Sequence, residues 1–396
     1  MTPKATPKID VVAAGSPRDM GIAQGAALAD RIRGSRIMLQ RLEAFRLLQP
    51  RWLPYPFFLR SAERRARTAL ETPIRGDAPH AAERLAGMAD GSRARLNSLY
   101  LLNGLESFMC SLSGCTTGHS RASAAASVAS ACSAVAVRGK RSRDGHPIIA
   151  RNFDYLPLVQ PFYVLRECRP AGGLRSIEFT AAPLCGAIDG INERGLSIAY
   201  NYAYAMDHGP PTATISMAIT EALACCATVA EAADFISGRR RSGAGLLMLA
   251  DAEGDVAAVE LSSAHGVVRR ADDGEDVLFH TNSYGAEPMQ RIEAPANAYY
   301  TQRVPGPLRG RRILESSDRR DERFATLLAG DDPFDGESLQ QLMADHGPNG
   351  ESSACTPCMH SDYWNTTACV QLYPRERRMR VAYDSACQAR FVDFAL

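Results

Sequence analysis

A cysteine, an arginine and an aspartate are spaced in this chain so that a single hairpin can bring them together. Cys132 opens a short alternating apolar run, a polar turn follows, and a second apolar run leads into Arg151 and Asp154. A thiol attacks a carbonyl carbon only as the thiolate, and its unperturbed pKa is about 8.5, so a nearby guanidinium favours the reactive form. The spacing therefore predicts a nucleophilic cysteine at the start of a β-strand, with Arg151 and Asp154 on the neighbouring strand.

The base that activates this thiol has to come from somewhere other than histidine, because no histidine lies in a context typical of a nucleophile's partner. An α-amino group, with a reference pKa of about 7.7–8.0, can serve if the peptide bond before Cys132 is broken. We expect the thiol to attack the carbonyl carbon of Ala131 and form a thioester that water hydrolyses. Arg151 would then favour the thiolate, and Asp154 would accept hydrogen bonds from the new amine. The alternative is a small buried cysteine beside an ordinary Arg–Asp pair.

The elements that must position these residues divide the chain into two parts. Strand signals are sparse between residues 15 and 130, and residues 111–130 are small, polar and low in complexity, as in a linker. Beyond them, two blocks of strands are separated by helices. We predict a helical N-terminal segment over 1–131, serving as a propeptide or small subunit, and a catalytic domain over 132–396. The pattern indicates an α+β fold in which two sheets stack between helical layers.

Three further sets of residues lie near the ends of predicted elements. Asn282 ends a strand, where a side-chain amide can donate to a developing oxyanion. Arg320 lies at the start of a capped helix and shares one face with Arg323. Tyr200 and Asn201 lie late in another predicted strand. A turn former, an edge-strand residue or a solvated helix face would explain the same residues without chemistry.

The hairpin residues resemble a known family. Cys132-Ser-Ala-Val-Ala-Val, taken with Ala150-Arg-Asn-Phe-Asp-Tyr, is similar to the opening hairpin of the acyl-coenzyme A:6-aminopenicillanate acyltransferase family, peptidase family C45, which is related to choloylglycine hydrolases. Gly15–Gly25 and Leu99–Asn103 resemble the family's N-terminal blocks. The resemblance implies the αββα sandwich of N-terminal nucleophile (Ntn) hydrolases with antiparallel sheets. It also implies a zymogen that matures by autoproteolysis.

The same resemblance implies a chemistry and roles for the remaining residues. The expected enzyme is an amidase (a hydrolase of carbon–nitrogen amide bonds) or an acyltransferase, acting through an acyl-enzyme on small acyl amides or acyl thioesters. Asn282, with Tyr200 or Asn201, would steady the oxyanion, and Arg320 would lie near the active site. The processed fragments are expected to remain associated.

Two departures keep alternatives open. The family commonly has glycine before the nucleophile, and this chain has Ala131. Gly114-Cys115-Thr116-Thr117 mimics the family's Gly-Cys-Thr junction, which makes Cys115 a rival nucleophile; no strand follows it, and Arg151 is much farther away along the chain. The alternative function is an uncleaved, non-catalytic relative with a binding or structural role.

A possible metal site lies near the C-terminus. Cys355, Cys358 and His360 supply three possible zinc ligands, and Cys369 or His346 could be the fourth. No second paired motif accompanies them, and relatives in the resembling family carry Asp-His and Cys-x-His in this region without metal. We therefore expect no metal. The chain also lacks a Gly-x-Gly-x-x-Gly fingerprint, so we expect no cofactor.

The totals exclude several classes of partner. A formal net charge of +1 gives no global field that favours nucleic acid or a membrane surface. No apolar run reaches 18 residues, so we expect no membrane span. The 11 cysteines lack the regular spacing of a secreted disulfide scaffold, and the N-terminus has no apolar signal core. We therefore expect a cytoplasmic protein.

Overall fold

The structure is a computed structural model, and it describes residues 6–112, 131–207, 209–271 and 275–396. The rival nucleophile Cys115 and most of the predicted linker lie outside the described residues. No helix in these four ranges is long and apolar enough to cross a membrane.

The helices begin where the sequence offers caps and apolar periodicity. Ser16 caps the first helix, and its hydroxyl accepts a hydrogen bond from the backbone N–H of Asp19. The periodicity predicts one helix over 19–45, but the structure divides it at Leu28 and Leu42. The α-helices are α1 (Pro17–Ala27), α2 (Ala29–Arg41), α3 (Glu43–Arg46), α4 (Tyr55–Asp77), α5 (Pro79–Ser92), α6 (Leu96–Asn103), α7 (Leu105–Leu112), α8 (Ile215–Cys225), α9 (Val229–Ser237), α10 (Glu287–Gln290), α11 (Glu315–Leu327) and α12 (Gly336–Met343).

Apart from the first, the strands lie beyond the predicted linker, as the sequence predicts. They are β1 (Ile9–Gly15), β2 (Ser133–Val137), β3 (Ile148–Tyr155), β4 (Tyr163–Pro170), β5 (Ser176–Ala181), β6 (Asp189–Asn192), β7 (Ser197–Tyr202), β8 (Gly245–Ala250), β9 (Val256–Leu261), β10 (Gly266–Arg269), β11 (Val277–His280), β12 (Asn365–Tyr373), β13 (Arg378–Ala382) and β14 (Val392–Ala395).

The strands form two sheets that pack face to face. The larger sheet has the order β1-β4-β5-β6-β7-β8-β9-β10, and the smaller has the order β11-β2-β3-β12-β13-β14. One apolar cluster, with members such as Ala136 and Phe179, fills the space between the sheets. A second cluster joins the larger sheet to α8 and α9, and a third joins the smaller sheet to α11 and α12. The predicted α+β sandwich of two stacked sheets between helical layers is confirmed.

The N-terminal helices pack on this sandwich, and one strand before them enters it. β1 pairs in parallel with β4, whereas the other paired strands of both sheets run antiparallel. α1 packs closely against α5, where Gly21 and Gly87 leave no room for a side chain because a Cβ there would meet the backbone of the facing helix. The division into segments 1–131 and 132–396 stays a prediction.

The predicted hairpin is present at the centre of the smaller sheet. β2 and β3 pair antiparallel, with Ala134 opposite Arg151. Successive side chains of a strand point to opposite faces. Cys132 and Ala134 accordingly face the space between the sheets, while Val135 and Val137 face the helical layer of α11 and α12.

Candidate active site

Cys132 lies immediately before β2, in the interior of the molecule. Its side chain is fully buried, with 0% of its surface exposed. The backbone N–H of Ala131 donates to the carbonyl oxygen of Asp154 over 2.9 Å, so the chain already runs alongside β3 at Ala131, before β2 begins. The peptide bond between Ala131 and Cys132 is therefore held next to the end of β3, where Asp154 lies.

Arg151 extends from β3 toward the thiol and is fixed from several sides. Its Nη2 lies 3.1 Å from the Cys132 Sγ. Nη1 donates to Asp189 Oδ2 over 2.8 Å, and Nε donates to Asn201 Oδ1 over 3.1 Å. The guanidinium carbon lies 4.7 Å from the centre of the Phe153 ring, close enough for a cation–π contact. A permanently charged group is thus held against the sulfur, in a site where burial strengthens electrostatic interactions.

Asp189 is a member of this site that the sequence analysis did not single out. It begins β6, it is fully buried, and its Oδ1 accepts the backbone N–H of Tyr200 over 3.1 Å. Burial raises the pKa of its carboxyl group, and the charge of Arg151 opposes that shift. In the sequence, Asp189 directly follows the apolar run Gly186-Ala-Ile188, and a buried carboxylate needs a charged partner, which could have served as a signal.

The two candidates on β7 take different places. The Asn201 side chain faces the site, and its Nδ2 donates to the carbonyl oxygen of Thr281 over 2.9 Å. The Tyr200 backbone carbonyl accepts from Arg151 Nη2 over 2.5 Å, whereas its ring lies on the other face of the sheet. His280 Nδ1 lies 3.1 Å from Asn201 Nδ2, and burial lowers the pKa of this histidine to about 3, so its ring is neutral.

Arg320 reaches Cys132 from the opposite side, out of the helical layer. It lies on α11 and is fully buried. Its Nη1 donates to the Cys132 carbonyl oxygen over 2.6 Å and to Ser133 Oγ over 2.9 Å. Its Nη2 donates to Asn282 Oδ1 over 2.7 Å, and Asn282 Nδ2 donates to the Tyr202 carbonyl oxygen over 2.8 Å. Arg320 thereby joins the cysteine backbone to the amide of Asn282.

Asp154 completes the cluster with one oxygen that is bonded and one that is not. The Thr366 hydroxyl donates to Oδ1. Oδ2 is buried and has no hydrogen-bond partner among the described residues, and it lies 4.0 Å from Arg320 Nη1. Burial raises the pKa of Asp154 to about 7, and the charge of Arg320 opposes that shift. The carboxyl group can therefore gain or lose a proton near neutral pH, with Oδ2 placed to accept a new hydrogen bond.

A cavity of about 210 Å³ lies beside this cluster, between the sandwich and the N-terminal helices. Phe153 and Tyr155 of β3 line it, and so do Leu42 and Leu102 from the helical side. The lining is largely apolar, with Glu106 of α7 as its acidic exception. Burial raises the pKa of Glu106 to about 7. Phe153 contacts Arg151, so one wall of the cavity packs against the guanidinium that contacts the thiol.

The structure thus brings together six of the side chains that the sequence predicts for the site, those of Cys132, Arg151, Asp154, Asn201, Asn282 and Arg320, whereas Tyr200 contributes only its backbone carbonyl. It adds Asp189, Ser133 and Thr366 as their buried partners.

Several solved structures are similar to this chain. An N-acylethanolamine-hydrolyzing acid amidase ortholog from Caenorhabditis elegans has 16% identity and a TM-score of 0.40, over 67% of this chain and 100% of that one. A penicillin V acylase from Agrobacterium tumefaciens has 18% identity and a TM-score of 0.41, over 67% and 86%. A conjugated bile acid hydrolase from Clostridium perfringens, solved as a mutant, has 12% identity and a TM-score of 0.35, over 67% and 97%.

These superpositions are weak, and the fold assignment rests on the sheets and layers described above. No curated protein matches the chain. The model of one family does match, over residues 141–386, and its description is acyl-coenzyme A:6-aminopenicillanic acid acyl-transferase. The matched range contains Arg151, Asp154, Asn282 and Arg320, and it begins after Cys132. Because the match covers more than half of the chain, the protein belongs to the acyl-coenzyme A:6-aminopenicillanic acid acyl-transferase family.

Proposed function

We propose that this protein is a self-processing amidohydrolase or acyltransferase whose nucleophile is an N-terminal cysteine, Cys132. The observation that carries the proposal is the 3.1 Å approach of Arg151 Nη2 to the buried Sγ. Family membership supports an acyl-transfer reaction. A permanent positive charge in a buried site favours the thiolate, which is the attacking form.

Self-cleavage is the first step of the proposed reaction. The Cys132 sulfur attacks the carbonyl carbon of Ala131, the carbon–nitrogen bond breaks, and the thiol proton passes to the departing amide nitrogen. Water then hydrolyses the resulting thioester, which leaves a carboxylate on Ala131 and a free α-amine on Cys132. The backbone carbonyl of Asp154 accepts the Ala131 N–H, which sets this residue beside the bond, and the Oδ2 atom, which has no hydrogen-bond partner among the described residues, suits the new amine.

Turnover uses the amine that cleavage creates. The α-amine takes the thiol proton, the sulfur attacks the carbonyl carbon of a small acyl amide, and the departing amine takes the proton. Water or a second amine then releases the acyl group. We assign the oxyanion donor to the Asn282 amide, which Arg320 holds. The contacts of Asn201 and of the Tyr200 carbonyl support a positioning role through Arg151 instead.

The adjoining cavity suits the acyl group of the substrate. Its apolar walls come from both predicted segments, for example from Leu102 on one side and Phe153 on the other. An acyl pocket of this kind requires the N-terminal fragment to remain associated after cleavage. The cavity fixes no particular acyl chain or leaving group.

The proposal is tested by trapping the acyl-enzyme. Purified protein is incubated with N-acyl amino acids, penicillins and acyl-coenzyme A donors, and the mass of the fragment that begins at Cys132 is measured after rapid acid quenching. We expect one acyl adduct on that fragment for at least one donor, and no adduct on the Cys132→Ser variant. Cys225→Ser, which changes an exposed thiol at the end of α8, serves as the control and should retain the adduct. Substrate turnover that survives in Cys132→Ala would overturn the assignment. An intact chain that binds donors without any adduct would favour the non-catalytic relative.

A further inference from the structure

Four side chains with metal-binding atoms converge behind the active-site hairpin. They are His346, Cys358, His360 and Cys387, and their ligand atoms all lie within 4.8 Å of one another. The sequence separates them into three places: the turn after α12, the loop before β12, and a short turn before β14. Only the folded chain brings Cys387 to the other three.

The distances in this cluster fit a tetrahedral ion as well as they fit S–H···N hydrogen bonds. The Nε2 atom of His360 lies 3.4 Å from the Cys358 sulfur and 3.5 Å from the Cys387 sulfur. Zinc bonds of about 2.3 Å to sulfur and about 2.0–2.1 Å to nitrogen place such ligand atoms about 3.6 Å apart in a tetrahedron. A neutral imidazole offers one acceptor nitrogen, which cannot be shared equally by two thiol protons.

The fourth side chain points to the same conclusion. The Nε2 atom of His346 is buried and has no hydrogen-bond partner among the described residues. Its ring packs edge-on against the ring of His360, with 5.3 Å between the ring centres. A buried ring nitrogen without a partner is costly, and a cation bound by all four groups would satisfy it.

The frame around the cluster holds these residues in place. Asn152 of β3 donates through Nδ2 to the carbonyl oxygens of Met343 and Pro357, each over 2.8 Å, and so fixes the chain before His346 and directly before Cys358. The Thr366 hydroxyl accepts the backbone N–H of Met359 over 2.8 Å. The same hydroxyl donates to Asp154. The cluster is thus connected to the active site through one side chain.

We propose that His346, Cys358, His360 and Cys387 bind a Zn²⁺ ion in a closed, structural site. Two thiolates and two neutral imidazoles balance the charge of the ion, and binding releases the two thiol protons. This ligand set suits zinc, and four protein ligands leave no open position for catalysis.

The proposal replaces the expectation of no metal, which was based on a different set of ligands. Cys355 is not a member of the cluster, and the Cys369 sulfur donates instead to Asn152 Oδ1 over 3.3 Å. Cys387 is the ligand that sequence spacing did not offer. Its exposure at the surface gives an ion a path into the site.

Metal content of the full chain tests the proposal. The protein is purified from zinc-supplemented medium, dialysed and measured by plasma mass spectrometry, and we expect one zinc ion per chain. Replacement by Co²⁺ should give the thiolate charge-transfer and visible bands of tetrahedral cobalt. Cys387→Ser should weaken the affinity for zinc more than about tenfold in competition with a chelator, since even loss of a group supporting a ligand costs 10–100-fold in affinity. Cys355→Ser is the matched control and should keep its zinc.

Three results would overturn the proposal. One is a folded wild-type chain that binds zinc no more tightly than Cys387→Ser. Another is wild-type protein in which Cys358 and Cys387 form a disulfide while it is purified under reducing conditions. The third is a cobalt spectrum without thiolate bands, which needs no variant and so remains decisive if a substituted chain fails to fold.

Discussion

The substitution Asp189→Asn removes the counter-charge of Arg151 while nearly keeping the size of the side chain. The carboxylate lies 2.8 Å from Arg151 Nη1, and both side chains are almost completely buried. Removing one partner of a buried ion pair costs about 3–5 kcal/mol, because the remaining charge is left without compensation. We expect the free energy of unfolding to fall by that amount. We also expect slower self-cleavage, since Arg151 is no longer held against Cys132.

A second substitution separates stability from chemistry. In Arg151→Met with Asp189→Asn, both charges are gone, and replacing a buried pair by uncharged groups of similar volume is often close to neutral. The double variant should therefore regain most of the lost stability and yet stay uncleaved. Urea denaturation in the Cys132→Ala background measures stability on the intact chain, and gel electrophoresis in the Cys132 background measures cleavage. Glu287→Gln, in an exposed ion pair, should change stability by less than about 1 kcal/mol.

Either of two outcomes would refute this reasoning. If Asp189→Asn alone leaves stability and cleavage unchanged, then Asp189 does not hold the guanidinium. If the double variant loses the sum of the two single losses, then the two charges do not compensate each other.

Three further predictions concern the same site and its cavity. Self-cleavage should slow as the pH falls through about 7. Burial raises the pKa of the Asp154 carboxyl from 3.8 to about 7, so below that pH the group is protonated and cannot accept a hydrogen bond from the new amine. Asp154→Asn should remove this pH dependence in time courses followed by gel electrophoresis. Glu106→Gln should leave cleavage unchanged but remove the pH dependence of KM near neutrality, measured by steady-state kinetics, because burial raises the pKa of Glu106 to about 7. Asn282→Ala should lower kcat about 10²–10³-fold with little change in KM, as loss of an oxyanion donor does.

Each of these predictions has a result that contradicts it. A cleavage rate with the same pH profile in Asp154→Asn would exclude Asp154 as the titrating group. Glu106→Gln with an unchanged profile of KM would place the substrate outside the cavity. Asn282→Ala with a raised KM and normal kcat would make that amide a ground-state binding group.

The raised pKa of Asp154 also sets the sign of a stability effect. The carboxyl keeps its proton in the folded chain up to about pH 7, while the unfolded chain loses it near 3.8. Its contribution to stability is thus fully present below 3.8 and is lost as the pH rises through about 7. In the Cys132→Ala background, Asp154→Asn should therefore gain stability relative to the parent as the pH rises.

Local patterns were enough to predict the hairpin and most elements. Alternation in the run after Cys132, a polar turn and a second apolar run specify two antiparallel strands, and the structure pairs Ala134 with Arg151 accordingly. The same alternation places Cys132 between the sheets. The sandwich could be predicted because both blocks of strands have apolar faces, which are buried when the two sheets pack against each other.

Contacts between distant parts of the chain could not be read from spacing. Asp189 and Arg151 meet only because β6 of one sheet faces β3 of the other, and no local rule pairs strands across two sheets. Arg320 could be placed on a helix face, but its contact with the Cys132 carbonyl depends on how α11 packs. The place of Cys387 in the proposed zinc site could not be predicted either, because it also depends on how distant parts of the chain pack.

Determining the N-terminus of each fragment in the purified protein tests the central claim most directly. The account predicts that mass spectrometry of the wild-type chain finds two fragments that meet between Ala131 and Cys132, and that Cys132→Ala stays intact. Cys115→Ala is the matched control and should be cleaved like the wild type. A wild-type chain that remains intact after long incubation, or a fragment that begins at Cys115, would contradict the account.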